Sequence, residues 1–178
     1  KQGVEYLWSQ GSGGLIVVCR DRHLKTPADW KNRKVRTAGR WQAEQLRAIG
    51  VSPVATDPSE QYIALQNRTI DCALSVNVLA SALKLHEVAP RITQLRMPVN
   101  LSSYLINKAV YDKISAADRA AMHQLSIEGD RRSAEHLARV EADAIAQMKS
   151  QKADMYSLSD QELKEFRTGI STSFAKME

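Results

Sequence analysis

Arg36 closes the short run Lys34-Val35-Arg36-Thr37, immediately before Ala38-Gly39 and a segment patterned as a helix. In an open α/β sheet, ligands bind in the crevice outside the carboxyl ends of the strands. A guanidinium placed there offers a planar fork of donors that fits a carboxylate at two points. The chemistry predicted is capture of an organic acid. Its competitor is an ordinary salt bridge between Arg36 and a neighbouring acid, so the surrounding pattern has to decide.

Other chemistry finds little support. Gly11-Ser12-Gly13-Gly14 looks like a phosphate-cradling loop, yet the apolar run Leu15–Cys19 follows it instead of a helix N-terminus. A turn or inter-lobe hinge is the better reading. The four histidines, His23, His86, His123 and His136, show no His-x-x-x-His or Glu-x-x-His spacing, so no metal site and no cofactor is predicted. Cys72 with His86 lacks the elbow and the orienting acid of a nucleophile and base. Glu44, Asp57, Glu60 and Asp71 fall near helix starts, where capping accounts for them. No catalytic residue is predicted, and the chain reads as a non-enzyme.

The elements that would position Arg36 are well punctuated. Thr26-Pro27-Ala28-Asp29, Asp57-Pro58-Ser59-Glu60, Ser115-Ala116-Ala117-Asp118 and Ser159-Asp160-Gln161-Glu162 each put a capping oxygen three residues before an acid. Between them lie β-rich runs at 15–19, 34–37, 51–55, 69–74, 92–97 and 103–106. A helix over 41–49 stops at Gly50, a left-handed C-cap. Another over 59–66 is expected to turn Tyr62, Ile63 and Leu65 inward, with Asn67 closing it and Glu60 as part of its cap. This alternation predicts right-handed crossovers and a mainly parallel sheet, with Val35, Val54 and Ile70 on neighbouring strands. Segments 37–40, 56–57 and 75–77 should then converge on one edge. From Ala116 to about Lys152 the spacing of Met122, Leu125, Gly129, Leu137, Val140, Ala144 and Met148 predicts one long helix, with Gly129 as its candidate bend. A short strand over 154–158 and an amphipathic helix over 160–175 follow.

Composition bounds the classes. The 178 residues are 43% hydrophobic and 25% charged, which suits a globular domain or two small lobes. The net charge of +5 is scattered, and the ten aromatics (three Trp, five Tyr, two Phe) do not interleave with the basic residues. A nucleic-acid surface is therefore disfavoured. The apolar runs are too short to span a bilayer. The chain opens at Lys1 without a signal-peptide pattern, which predicts a mature product or a fragment. Cys19 and Cys72 each lie in an apolar run. A small buried hydrophobe is the default for both, and a disulfide between them is the alternative in an oxidising compartment.

The phrases from Thr26 to Tyr111 carry a resemblance. Thr26-Pro27-Ala28-Asp29-Trp30 with Lys34-Val35-Arg36, Ala48-Ile49-Gly50-Val51-Ser52-Pro53-Val54 and Ser59-Glu60-Gln61-Tyr62-Ile63-Ala64-Leu65-Gln66 come in order. Thr69-Ile70-Asp71, Leu85-His86-Glu87-Val88 and Leu105-Ile106-Asn107-Lys108 follow. Together they resemble the DctP-like solute-binding proteins of TRAP transporters. The resemblance implies an α/β, two-lobed, periplasmic-binding-protein-like (flytrap) fold with a mainly parallel sheet and a long lobe-bridging helix. It assigns 14–101 and 143–178 to the second, ligand-binding lobe. Residues 1–13 and 102–142 then belong to the bridging helix and an incomplete first lobe. Such a half-lobe predicts either a preceding N-terminal piece or an oligomer that covers its apolar surface.

The family's carboxylate-binding arginine falls on Arg36, and the segments around Ser75 to Asn77 and Met97 to Ser102 shape its ligand. Arg40, Trp41, Ser75, Asn77 and Asn100 are thus further candidates for hydrogen bonding or stacking, each with packing or surface charge as the alternative role. Where the family has Gly-x-Glu-Asn-Pro after the Asp, this chain has Cys72-Ala73-Leu74-Ser75-Val76, so Ser75 stands at the usual Asn and Asn77 is the substitute. The implied function is a periplasmic receptor, made with a signal peptide, that hands an organic acid to membrane permease subunits. The effector-binding domain of a transcriptional regulator, or a small α/β enzyme acting on a carboxylic acid, is the alternative.

Overall fold

The computed structural model describes residues 3–97 and 101–171. Strand β1 (Val4–Gly11) leads through Gly13, at φ +98°, into β2 (Leu15–Cys19). Helix α1 (Pro27–Trp30), β3 (Lys34–Thr37), α2 (Arg40–Ala48) and β4 (Ser52–Ala55) follow. A 3-10 turn at Pro58–Glu60 runs into α3 (Gln61–Gln66), then come β5 (Cys72–Val76), α4 (Asn77–Ala82), α5 (Leu85–Val88) and β6 (Arg91–Gln94). After β7 (Leu101–Asn107) and α6 (Lys108–Tyr111), helix α7 runs unbroken from Ala116 to Ser150, and β8 (Asp154–Ser157) and α8 (Asp160–Ser171) complete the described chain.

Six strands form the larger sheet in the order β4-β3-β5-β2-β6-β8. Strand β2 is antiparallel to both neighbours, and the other five share one direction, so the sheet is mainly parallel. Alternation along β2 splits the core. Val17 and Cys19 join Trp30, Val35, Leu46 and Phe166 on the face of α1, α2 and α8. Ile16 and Val18 join Leu65, Ile70, Leu85 and Met148 on the face of α3, α4, α5 and α7. A strand buried on both faces must be apolar at every position, which is why β2 reads Leu-Ile-Val-Val-Cys.

The predicted caps form. Thr26 N–H donates to Asp29 Oδ2 at 2.8 Å, Asp118 N–H to Ser115 Oγ at 3.1 Å, and Ser159 N–H to Glu162 Oε2 at 2.7 Å. Gly50 takes φ +84° after α2.

Several expectations are corrected, Ile70 first: β5 begins at Cys72, so Ile70 lies just before the strand instead of on it. Ile63 is 53% exposed, and Gln61 turns inward in its place. Helix α7 continues through Gly129, where the missing side chain makes room for a ring. A Cβ there would lie 3.4 Å from Trp8 Cε3, and Trp8 itself stacks on Tyr104 with centroids 4.4 Å apart. Strand β1 was not expected; it pairs antiparallel with β7 as a separate two-stranded sheet lying on α7. Cys19 and Cys72, directly opposite on β2 and β5, are joined as a disulfide with Cα atoms 4.2 Å apart. Antiparallel pairing at that register puts both thiols within bonding reach, a fact invisible until strand order is known.

At the sheet's far end Arg33 grips Asp21 with two hydrogen bonds of 2.9 Å. The Arg33 guanidinium holds the Asp21 carboxyl down to about 2, below its ordinary 3.8. A depressed carboxylate stabilises the fold above about pH 4 and loses that contribution as pH falls through 2. Asp21 is half exposed, so Asp21→Asn should cost less than about 1 kcal/mol at pH 7. Urea midpoints of variant and parent should converge at pH 2; a gap that persists there would exclude the pairing as its cause.

Candidate ligand-binding site

Strand β3 ends at the carboxyl edge of the sheet with Arg36 facing Val54 on β4 and Ala73 on β5. Ala73 belongs to the α3/α4/α7 face, so Arg36 emerges on that side. The residue is only 3% exposed. Its Nε donates to the Thr56 carbonyl at 3.0 Å and one Nη to the Leu74 carbonyl at 3.2 Å. Among the described residues no carboxylate pairs with it. Burial pushes its pKa below the usual arginine value, with the nearby Asp57 opposing. The result is a cation stripped of water, aimed by two carbonyls, with donors left over. Such a group gains strongly from an incoming anion.

The other expected residues scatter around this anchor. Ser75 lies on β5 two residues past Ala73, hence on the same face as Arg36; it is 5% exposed, and its Oγ has no partner among the described residues. Asn77 opens α4, buried, and gives its Nδ2 to Glu141 Oε1 at 2.8 Å. The amide orientation follows from chemistry, since a carboxylate only accepts. Asn77 Oδ1 is left buried and unpartnered among the described residues. Arg40 and Trp41 begin α2 just past the same strand end, both exposed, with Trp41 at 63%. Asn100 lies outside the described residues.

Two residues at this edge were not singled out from the sequence. Gln61 is fully buried and bonds the Pro58 carbonyl through Nε2, leaving Oε1 unpartnered among the described residues. Glu141, from α7, accepts both the Gly14 N–H at 2.7 Å and the Asn77 amide, so one carboxylate ties the link between the two sheets to helix α7 and to α4. A Cβ at Gly14 would come within 2.9 Å of Glu141 Oε1, so a larger residue would push that carboxylate aside. A signal for Glu141 existed: it occupies an inward position of the α7 stripe, between Leu137 and Ala144, where an acid needs a reason. Beyond Glu141 an open groove of about 600 Å³ runs between β1, β7 and α7, lined by Tyr6, Leu101, Asp130, Leu137 and Ala138 among others.

Among the described residues no group of three or more His, Cys, Asp or Glu is arranged to hold a metal ion. No described helix is long and apolar enough to cross a membrane.

Comparison with known proteins follows the same lines. The sequence model for DctP, described as bacterial extracellular solute-binding protein, family 7, matches residues 1–178. The ectoine-binding periplasmic protein TeaA of Halomonas elongata is 23% identical over 170 residues, covering 94% of this chain and 50% of the relative. Its solved structure superposes with a TM-score of 0.88 over 98% of this chain and 57% of the other, at 22% identity. A TRAP periplasmic solute-binding protein from Rhodoferax ferrireducens with bound malonate gives a TM-score of 0.85 at 22% identity, over 98% of this chain and 56% of the other. The chain thus spans about half the length of the curated relatives it matches, and at these identities the structural likeness establishes the fold.

Proposed function

We propose, from the premise that this chain belongs to family 7 of the bacterial extracellular solute-binding proteins, that it is the solute receptor of a TRAP-type transporter. In this reading Arg36 takes the carboxylate of an organic acid, and membrane permease subunits receive the captured solute. Residues 14–101 and 143–178 act as the ligand-binding lobe, while 1–13 and 102–142 belong to the other lobe and the helix that bridges them. The protein works in the periplasm, binds by charge pairing and closure, and performs no catalysis. Closure removes water around the ion pair, which strengthens it.

One observation carries this reading: a buried guanidinium held by the Thr56 and Leu74 carbonyls with no acid partner among the described residues. The unpartnered Ser75 Oγ beside it and the Cys19–Cys72 disulfide, a bond of oxidising compartments, support it. TeaA is named for ectoine and the Rhodoferax structure holds malonate, so both solutes belong in the screen.

The test is a thermal-shift screen of organic acids followed by calorimetry, with each hit's primary amide as its uncharged control. Acids should bind one to one, their amides at least tenfold more weakly, and no product should form. Amides that bind as well as the acids would remove Arg36 from its role, and turnover would make the protein an enzyme.

A further inference from the structure

The edge that holds Arg36 also holds the opposite charge. Arg36 bonds the Leu74 carbonyl; Asn77, three residues further on, bonds Glu141. No more than about 10 Å of chain separates the two anchors. Glu141 Oε1 is spent on Gly14 and Asn77, but its Oε2 has no hydrogen-bond partner among the described residues. The same stretch of chain carries two buried oxygens without partners among the described residues, Ser75 Oγ and Asn77 Oδ1. An amide oxygen can only accept, so whatever satisfies Asn77 Oδ1 must bring an N–H or O–H. The sequence of groups along the edge is therefore cation, hydroxyl, acceptor, anion.

We infer that the solute is a zwitterion, a carboxylate with a protonated nitrogen a few bonds away, whose nitrogen is read by Asn77 Oδ1 and Glu141. This deepens the receptor reading and rests on it. A simple di-acid would set its second carboxylate toward Glu141, and an unpaired like-charge contact excludes a ligand as firmly as a good contact admits one. A nitrogen cation reverses that sign. It also supplies the donor that the buried Asn77 oxygen lacks.

Matched ring pairs isolate the nitrogen: pipecolate against cyclohexanecarboxylate, and proline against cyclopentanecarboxylate. Within each pair, size and carboxylate are nearly the same. Calorimetry on the wild-type protein should show the zwitterion at least tenfold tighter than its carbocyclic partner. Glu141→Gln keeps an acceptor for Gly14 N–H and the Asn77 amide but removes the charge. It should bring the ratio within about threefold by weakening the zwitterion. Equal or tighter binding of the plain acids by the wild type overturns the inference, without recourse to any variant. So does a ratio that survives Glu141→Gln, or failure of all four probes to bind. The broad acid screen is the separate judge of the receptor reading, which stands if any carboxylate of the screen binds, zwitterionic or not, and falls if none does.

Discussion

Arg36→Ala is expected to abolish acid binding while leaving the protein folded. Removing one partner of a buried, hydrogen-bonded charge pair costs on the order of 2–5 kcal/mol, or roughly 30- to several-thousand-fold in affinity. The unliganded protein should tolerate the change. It loses hydrogen bonds to the Thr56 and Leu74 carbonyls, but it also sheds a poorly solvated cation that burial already penalises. Stability kept and binding lost is the mark of a group maintained for its ligand. Arg36→Lys sharpens the test, since a lysine restores charge without the two-point fork and should recover only part of the affinity. Calorimetry against the best acid of the screen reads all three proteins. Undiminished affinity in Arg36→Ala would remove the anchor altogether.

The second large effect concerns the bond between β2 and β5. Cys19 and Cys72 lie 53 residues apart, and that loop encloses β3, β4 and the helices between them. Cross-linking a loop of this size removes unfolded-chain entropy equivalent to about 4 kcal/mol. A Cys19→Ala/Cys72→Ala double variant should therefore melt roughly 8–16 °C below the parent, at about 2–4 °C per kcal/mol for a chain of this length. Both cysteines are fully buried, so alanine leaves no unsatisfied polar group to confuse the comparison. The parent, unfolded and refolded in a thiol reductant, should match the double variant. Identical melting of the oxidised parent and the variant would mean that the bridge contributes nothing.

Much of this architecture could be read before any coordinates. The runs 15–19 and 34–37 are β2 and β3 to the residue; β2, buried on both faces, has no polar positions to blur its limits. The caps at Thr26, Ser115 and Ser159 announced three helices through local chemistry, and local chemistry is what a sequence displays. What escaped was decided by partners far along the chain. Strand β1 mixes Val4, Tyr6, Leu7 and Trp8 with polar residues, and its pairing with β7 about a hundred residues away makes it a strand. Gly129 looked like a bend and is a seat for Trp8, a role set by tertiary contact. At the candidate site the sequence marked Arg36, Ser75 and Asn77. It could not show that Asn77 would face Glu141, since that contact spans 64 positions and depends on how α7 crosses α4.

Helix α7 has a mechanical meaning as well. Its 35 residues make a rod of about 52 Å, held at one end by the buried Ala144 and Met148 and touching β1 further up through Gly129 and Asp130. A rod clamped near one end is a lever. Tilting it by about 10° around Ala144 would carry Ala116 through some 7 Å, as about 42 Å of helix separates them. Small repacking at the clamp, beside Glu141 and Asn77, would thus be magnified into a large excursion at the remote tip.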